Sequence, residues 1–182
     1  MTKEEEYILK VFPLVKQIQD DGIRNKVIKA WLIMWKESGY RTLEEAPMRG
    51  PAQDTLVKHT NAVTNGAFTL ATQFQQEYGL PVNLDVLLAG AILHDIDKLV
   101  IYERKGNTVD YSALGKMYPH GSYGGHVALD VGLPMEVVSL IITHSQPCTW
   151  EPASVEGNLI HHADYAKIDS VRLALGLERS FK

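Results

Sequence analysis

The chemistry open to this chain rests on seven histidines and a few well-placed carboxylates. The histidines are His59, His94, His120, His126, His144, His161 and His162, and none precedes position 59. The densest stretch is Leu93-His94-Asp95-Ile96-Asp97-Lys98, at the end of the apolar run Val86-Leu87-Leu88-Ala89-Gly90-Ala91-Ile92-Leu93. An apolar run that ends in an adjacent imidazole and carboxylate carries two polar groups into a core, where each needs a partner. A neutral imidazole nitrogen is the commonest metal ligand, and carboxylates complete hard or borderline sites. His59 alone would read as a hydrogen-bonded core histidine, the commoner fate of a lone imidazole on an apolar face. Taken with His94-Asp95 and a downstream Asp164, it points to a metal centre. Asp164 lies four residues after Ile160, so its carboxylate shares a helix face with an apolar residue.

The elements that position these groups are helices. Apolar residues at helical spacing occupy 4–20, interrupted by Pro13, so a kink or two short helices are expected there. A second helix runs over 22–38 and stops at Gly39. A loop rich in Pro and Gly, Ala46-Pro47-Met48-Arg49-Gly50-Pro51, precedes a long helix from Asp54 to Tyr78 that carries His59. Asn83 caps the helix that ends in His94-Asp95. The Gly106-Asn107 turn predicts a small hairpin. His120 opens a further helical pattern, a helix after Pro134 leads to His144, Gln146-Pro147-Cys148-Thr149-Trp150-Glu151-Pro152 reads as a loop, and a final helix spans 154–175. Four helices can then each send a ligand inward, as bundle metalloproteins do.

The order His … His-Asp … Asp resembles the HD-domain superfamily of metal-dependent phosphohydrolases, over about residues 54–175. His59, His94, Asp95 and Asp164 match its four positions in order. His120 and His144 match the two further histidines of its dinuclear branch, and His94-Asp95-Ile96-Asp97-Lys98 resembles the His-Asp-x-x-Lys form found there. The resemblance implies an all-α HD-domain helical bundle, with two extra N-terminal helices (1–50) packed on a core (54–175) in a single domain, 1–182. It implies that Asp95 bridges two divalent cations, that His59, His94 and Asp164 complete the first, and that His120 and His144 complete the second. His126 is the alternative to His120 if the helix begins later. Catalytic roles are expected for Asp95, Lys98 and His161. Lys98, one turn past His94, would meet a substrate anion or a transition-state oxyanion, against the plainer reading of a salt bridge. Asp97 is expected to be exposed, or to accept from a ligand imidazole. Tyr118, Ser122 and Tyr123 are candidate substrate contacts. The mixed N and O ligand set suits Mn or Fe, with Co, Ni or Zn as further options.

The function expected is hydrolysis of a small phosphorylated metabolite or nucleotide by a hydroxide held between the two cations. Three alternatives stay open: hydrolysis of a C–C or C–N bond in a carbonyl substrate such as a cyclic ketone, a di-iron oxygenase, and a non-catalytic HD binding module. His144 is followed by Ser145-Gln146-Pro147 and not by Gly-Tyr-Pro, which argues against cyclic-di-GMP cleavage. Basic residues near the expected site are few: Lys98, Arg104, Lys105, Lys116 and Lys167. A net charge of −4 disfavours nucleic acid as the main partner and leaves a small-molecule substrate. One cysteine, Cys148, excludes a disulfide framework and suggests a reducing cytoplasm. No apolar run is long enough for a membrane span. The N-terminal helices, with Trp31 and Trp35, suit core packing better than a cap over the site or a homodimer surface.

Overall fold

The computed structural model describes residues 1–49, 54–144 and 153–180. The helices are α1 (Lys3–Val11), α2 (Asp21–Ser38), α3 (Leu56–Tyr78), α4 (Leu84–Leu93), α5 (Lys98–Ile101), α6 (Ala113–Met117), α7 (Ser122–Asp130), α8 (Met135–Thr143) and α9 (Val155–Ala174). The architecture is all-α, with one two-stranded antiparallel hairpin, β1 (Tyr102–Lys105) and β2 (Thr108–Tyr111), turning at the expected place. Pro13 has the predicted effect: α1 ends before it and a separate 3-10 turn runs from Pro13 to Gln17. The segment expected to hold the 145–152 loop, with Cys148, lies outside the described residues, as do 50–53.

The organising element is α4. Asn83 caps it by accepting from the backbone N–H of Asp85 and Val86, and every residue from Val86 to Leu93 is buried. A helix apolar all round must be surrounded, and α4 packs against α3, α8, α9 and α2. Gly90 permits the closest of these approaches. A Cβ there would sit 2.5 Å from Leu140 Cδ1 on α8 and 3.2 Å from Ile160 Cδ1 on α9. This position therefore brings α8 and α9, the carriers of His144 and Asp164, against the helix that ends in His94.

The N-terminal segment is fastened to the same bundle. Asp85, in the first turn of α4, accepts from the backbone N–H of Gln19 at 2.7 Å and Asp20 at 2.9 Å. Asn61 of α3 donates to Val11 O at 2.8 Å. Trp31 is wholly buried and stacks on Phe12, with ring centroids 4.3 Å apart. Core packing is thus where Trp31 is found, and the apolar cluster around it continues without a break into α3, α4 and α8.

Candidate metal centre

Three local structures bring the polar groups to one point. The chain leaves α4 through a tight turn, 94–97, closed by Ile96 N–H to Leu93 O and Lys98 N–H to Asp95 O. This turn holds His94 and Asp95 on the inner side while Ile96 and Leu99 stay in the core. Thr55 caps α3 and sets His59 in its first turn, facing α4. Gly121, at φ +85, makes the bend that places His120 just before α7; a Cβ there would meet Ile141 O at 2.8 Å. The helix therefore starts at Ser122 and not at His120 as the sequence suggested.

His59, His94, Asp95, His144 and Asp164 are all at most 3% exposed, and His120 is half-buried. Asp95 lies at the centre. Its Oδ2 is 2.9 Å from His59 Nε2 and 3.3 Å from His94 Nε2; its Oδ1 is 2.9 Å from His120 Nε2 and 3.5 Å from His144 Nε2. Asp164 Oδ1 is 3.1 Å from His59 Nε2. The two carboxylate oxygens of Asp95 thus face two different histidine pairs. His59 and His94 are close to each other, with Nε2 atoms 3.1 Å apart, and so are His120 and His144, at 3.2 Å.

The outer nitrogens decide what these short distances mean. His94 Nδ1 donates to Ala91 O at 2.6 Å and His144 Nδ1 to Ile141 O at 2.8 Å. His120 Nδ1 lies 2.8 Å from Asp97 Oδ1, which accepts its proton. In each neutral ring the proton is therefore on Nδ1 and the Nε2 lone pair points inward. When His120 and His144 are both in this neutral form, their lone pairs face each other across 3.2 Å, an arrangement that a cation between them would relieve. Asp95 Oδ1 and Asp164 Oδ1 fit the same picture: both are buried and lack a well-aligned hydrogen bond among the described residues. Three overlapping groups of these donors come close enough to share a cation: His59, His94 and Asp95; His94, His144 and Asp164; and Asp95, His120 and His144. The residues present fit divalent metal, and a donor set of imidazoles and carboxylates suits borderline cations.

The local electrostatics are severe. Burial alone would raise the Asp95 carboxyl, but Lys98, His94 and His59 around it reverse that and hold it well below the usual carboxylate range. Asp164 also resists the effect of burial, held at about 2 chiefly by His59 and His94. Burial would lower His120, and Asp97 outweighs it to bring the imidazole up to about 9. Lys98 Nζ sits 2.6 Å from Asp95 Oδ2, and Asp95 and Asp164 keep it charged despite burial.

This geometry can be set beside known proteins. The HD domain family matches residues 56–167. The chain belongs to that family. A curated HD-type relative, the dihydroneopterin 2′,3′-cyclic phosphate phosphodiesterase of Methanocaldococcus jannaschii, is 31% identical over 94% of this chain and 74% of its own length. No solved structure matches the chain significantly. Family and relative together support a metal-dependent phosphohydrolase, an enzyme with a small-molecule substrate. No helix among the described residues is long and apolar enough to cross a membrane.

Within this HD fold the six expected ligands come together. His126 does not replace His120: although the helix begins later, His126 is exposed and lies beside Tyr123. His162 is exposed. His161 stands outside the Nε2 cluster, half-buried, with Nδ1 donating to His144 O at 2.8 Å and its ring against Tyr165. Tyr123 donates to Glu37, which ties it to α2. Of the two expectations for Asp97, exposure is corrected, and the other, an acceptor for an imidazole of the cluster, is what the structure shows. The residue is fully buried, accepting from His120 at 2.8 Å and from Gly121 N–H at 2.6 Å. The clue was its apolar frame, Ile96 and Leu99, which left its side chain no route to water.

Asp97 therefore orients His120 and also pins the bend at Gly121. Asp97→Asn is expected to lower affinity for a cation at His120 and His144 by roughly 10–100-fold, the usual cost of losing an outer carboxylate partner of a ligand imidazole. Titration of the stripped protein with Mn measures it. Unchanged affinity at every site would remove this role.

Proposed function

We propose that this chain is a phosphodiesterase acting on a small cyclic phosphate ester with two divalent cations, Mn or Fe in preference to Co, Ni or Zn. The observation that carries the two-cation reading is the division of Asp95, with Oδ2 toward His59 and His94 and Oδ1 toward His120 and His144. In this reading His59, His94 and Asp164 would hold one cation, His120 and His144 the other, and Asp95 would be a ligand common to both. When bound, such a pair lowers the pKa of a shared water and draws charge from the phosphoryl oxygens. The substrate class follows the relative, whose printed substrate is a 2′,3′-cyclic phosphate.

The chain's own residues supply the rest. Lys98 offers a buried cation beside the cluster and offsets charge on a non-bridging phosphoryl oxygen. His161, anchored through Nδ1 on His144 O, is assigned the proton of the leaving oxygen. The buried setting of Asp95, His59 and His94 keeps bulk water from screening these charges.

The experiment is metal analysis combined with anaerobic turnover of adenosine 2′,3′-cyclic phosphate by the Mn-loaded protein. Near two metals per chain and cleavage without oxygen are expected. Saturation at one metal per chain would overturn the two-cation reading. Turnover of an organic substrate only when oxygen is admitted would replace the phosphodiesterase with an oxygenase.

A further inference from the structure

A concave pocket of about 330 Å³ is lined by Pro47, Met48, Arg49, Asp54, Arg104 and the turn of the hairpin at Asn107–Val109. Two segments that carry members of the cluster also lead to this pocket. Asp54 precedes the α3 turn that carries His59. Lys98 leads through α5 directly into Tyr102 and β1. Lys167, one turn past Asp164, pairs with Asp54.

The hairpin sorts its side chains by charge. The register pairs Tyr102 with Tyr111 and Arg104 with Val109, and it pairs Glu103 with Asp110. Directly opposed residues share a face and neighbours alternate. The carboxylates of Glu103 and Asp110 are therefore on one face, where Lys105 meets them at 3.2 and 3.3 Å. Tyr102, Arg104 and Tyr111 are on the other face, and Arg49 lies over the Tyr111 ring at 4.9 Å. Among the described residues neither Arg49 nor Arg104 has a carboxylate partner, while the one acid of the pocket, Asp54, is already taken by Lys167. Tyr102, directly after the α5 helix that Lys98 opens, has its ring 5.4 Å from that of Tyr111, so the hairpin links the Lys98 end of the cluster to Arg49.

We infer that Arg49 and Arg104 form an anion subsite that takes a second phosphate of the substrate, distinct from the phosphate that is hydrolysed. The inference rests on the phosphodiesterase reading for what sits at the metals. Two guanidinium forks match the oxygens of a phosphate. The Tyr111 ring holds Arg49 in place by a cation–π contact, so less side-chain freedom is lost on binding. Neither residue touches the reacting atoms; both position the substrate.

The test compares adenosine 2′,3′-cyclic phosphate with the same compound carrying a 5′-phosphate, on the full metal-loaded chain. The 5′-phosphorylated compound is expected to have a KM at least 10-fold lower. The double variant Arg49→Gln, Arg104→Gln should raise that KM roughly 10–100-fold, with kcat unchanged, and shift the KM of the unphosphorylated compound less than 2-fold, as loss of charge-assisted hydrogen bonds predicts. Equal effects on both compounds, or none on either, would overturn the subsite. Binding of pyrophosphate to the metal-stripped chain, followed by calorimetry, reads the pocket without turnover. Binding that weakens at least 10-fold in the double variant supports the subsite even if neither compound is cleaved, in which case only the phosphodiesterase reading falls. No binding to the unaltered chain sinks the subsite and leaves that reading intact.

Discussion

Asp95→Asn is expected to strip the protein of bound metal and to lower turnover by more than about 10³-fold. The magnitude follows from losing several kcal/mol of charge stabilisation at about 1.4 kcal/mol per decade of rate. The change is nearly isosteric, so any loss comes from charge and ligation and not from volume. It removes the group on which His59, His94, His120, His144 and Lys98 all converge. The variant also leaves the Lys98 ammonium, 9% exposed, without its nearest counter-charge. Breaking a buried pair from one side costs about 3–5 kcal/mol, so the metal-free variant should unfold at lower denaturant than the metal-free parent. The sign with pH is fixed by the depressed Asp95 carboxyl. Its contribution is complete above the unfolded value of about 3.9 and is lost only as pH falls through the lower folded value. The difference between the two proteins should therefore be flat around neutrality. Metal analysis is the decisive measurement, and a variant that keeps two cations per chain would refute Asp95 as the shared ligand.

Trp31→Ala is expected to cost about 3–5 kcal/mol, the range for deleting a buried aromatic ring. In a chain of this size that corresponds to a fall of roughly 10 °C in Tm. Trp31 has no exposed surface and stacks on Phe12, joining α2 to the segment before Pro13. α2 packs directly on α4, so the N-terminal helices are expected to unfold with the metal-binding core in one transition. Its indole N–H is buried without a partner among the described residues. Trp31→Phe removes that donor and keeps a ring, so its cost should be well below that of the alanine variant. Circular dichroism and tryptophan fluorescence followed through urea would show the difference. Two separate transitions, with only the first shifted by Trp31→Ala, would mean that residues 1–50 form an independent unit.

Much of the fold was legible because the apolar spacing is so regular. The run Val86–Leu93 can only be a surrounded helix, and the cap at Asn83 and the stop at Gly39 fall where a short polar residue and glycine demand them. The short pieces between Lys98 and Met117 were less legible. α5 and α6 have four and five residues, too few for a periodic pattern to show, and both are held by tertiary contacts. The same limit applied to the start of α7, where a left-handed Gly121 and the Asp97 carboxylate outweighed the helical pattern that opens at His120 in the sequence.

The ligand set is a different case. The resemblance to the HD superfamily singled out His59, His94, Asp95, His120, His144 and Asp164 by their order along the chain, and the fold brings these six side chains together. Sequence alone could not say which oxygen of Asp95 faces which histidine, nor that Asp97 and two backbone carbonyls fix the ring tautomers. Those depend on how α3, α4, α8 and α9 are rotated against one another, and close contacts such as Leu140 on Gly90 set that rotation. Arg49 escaped the sequence reading altogether. It lies in an irregular segment with no period to orient it, and only the folded hairpin, through the face of Tyr111, brings its charge to the pocket.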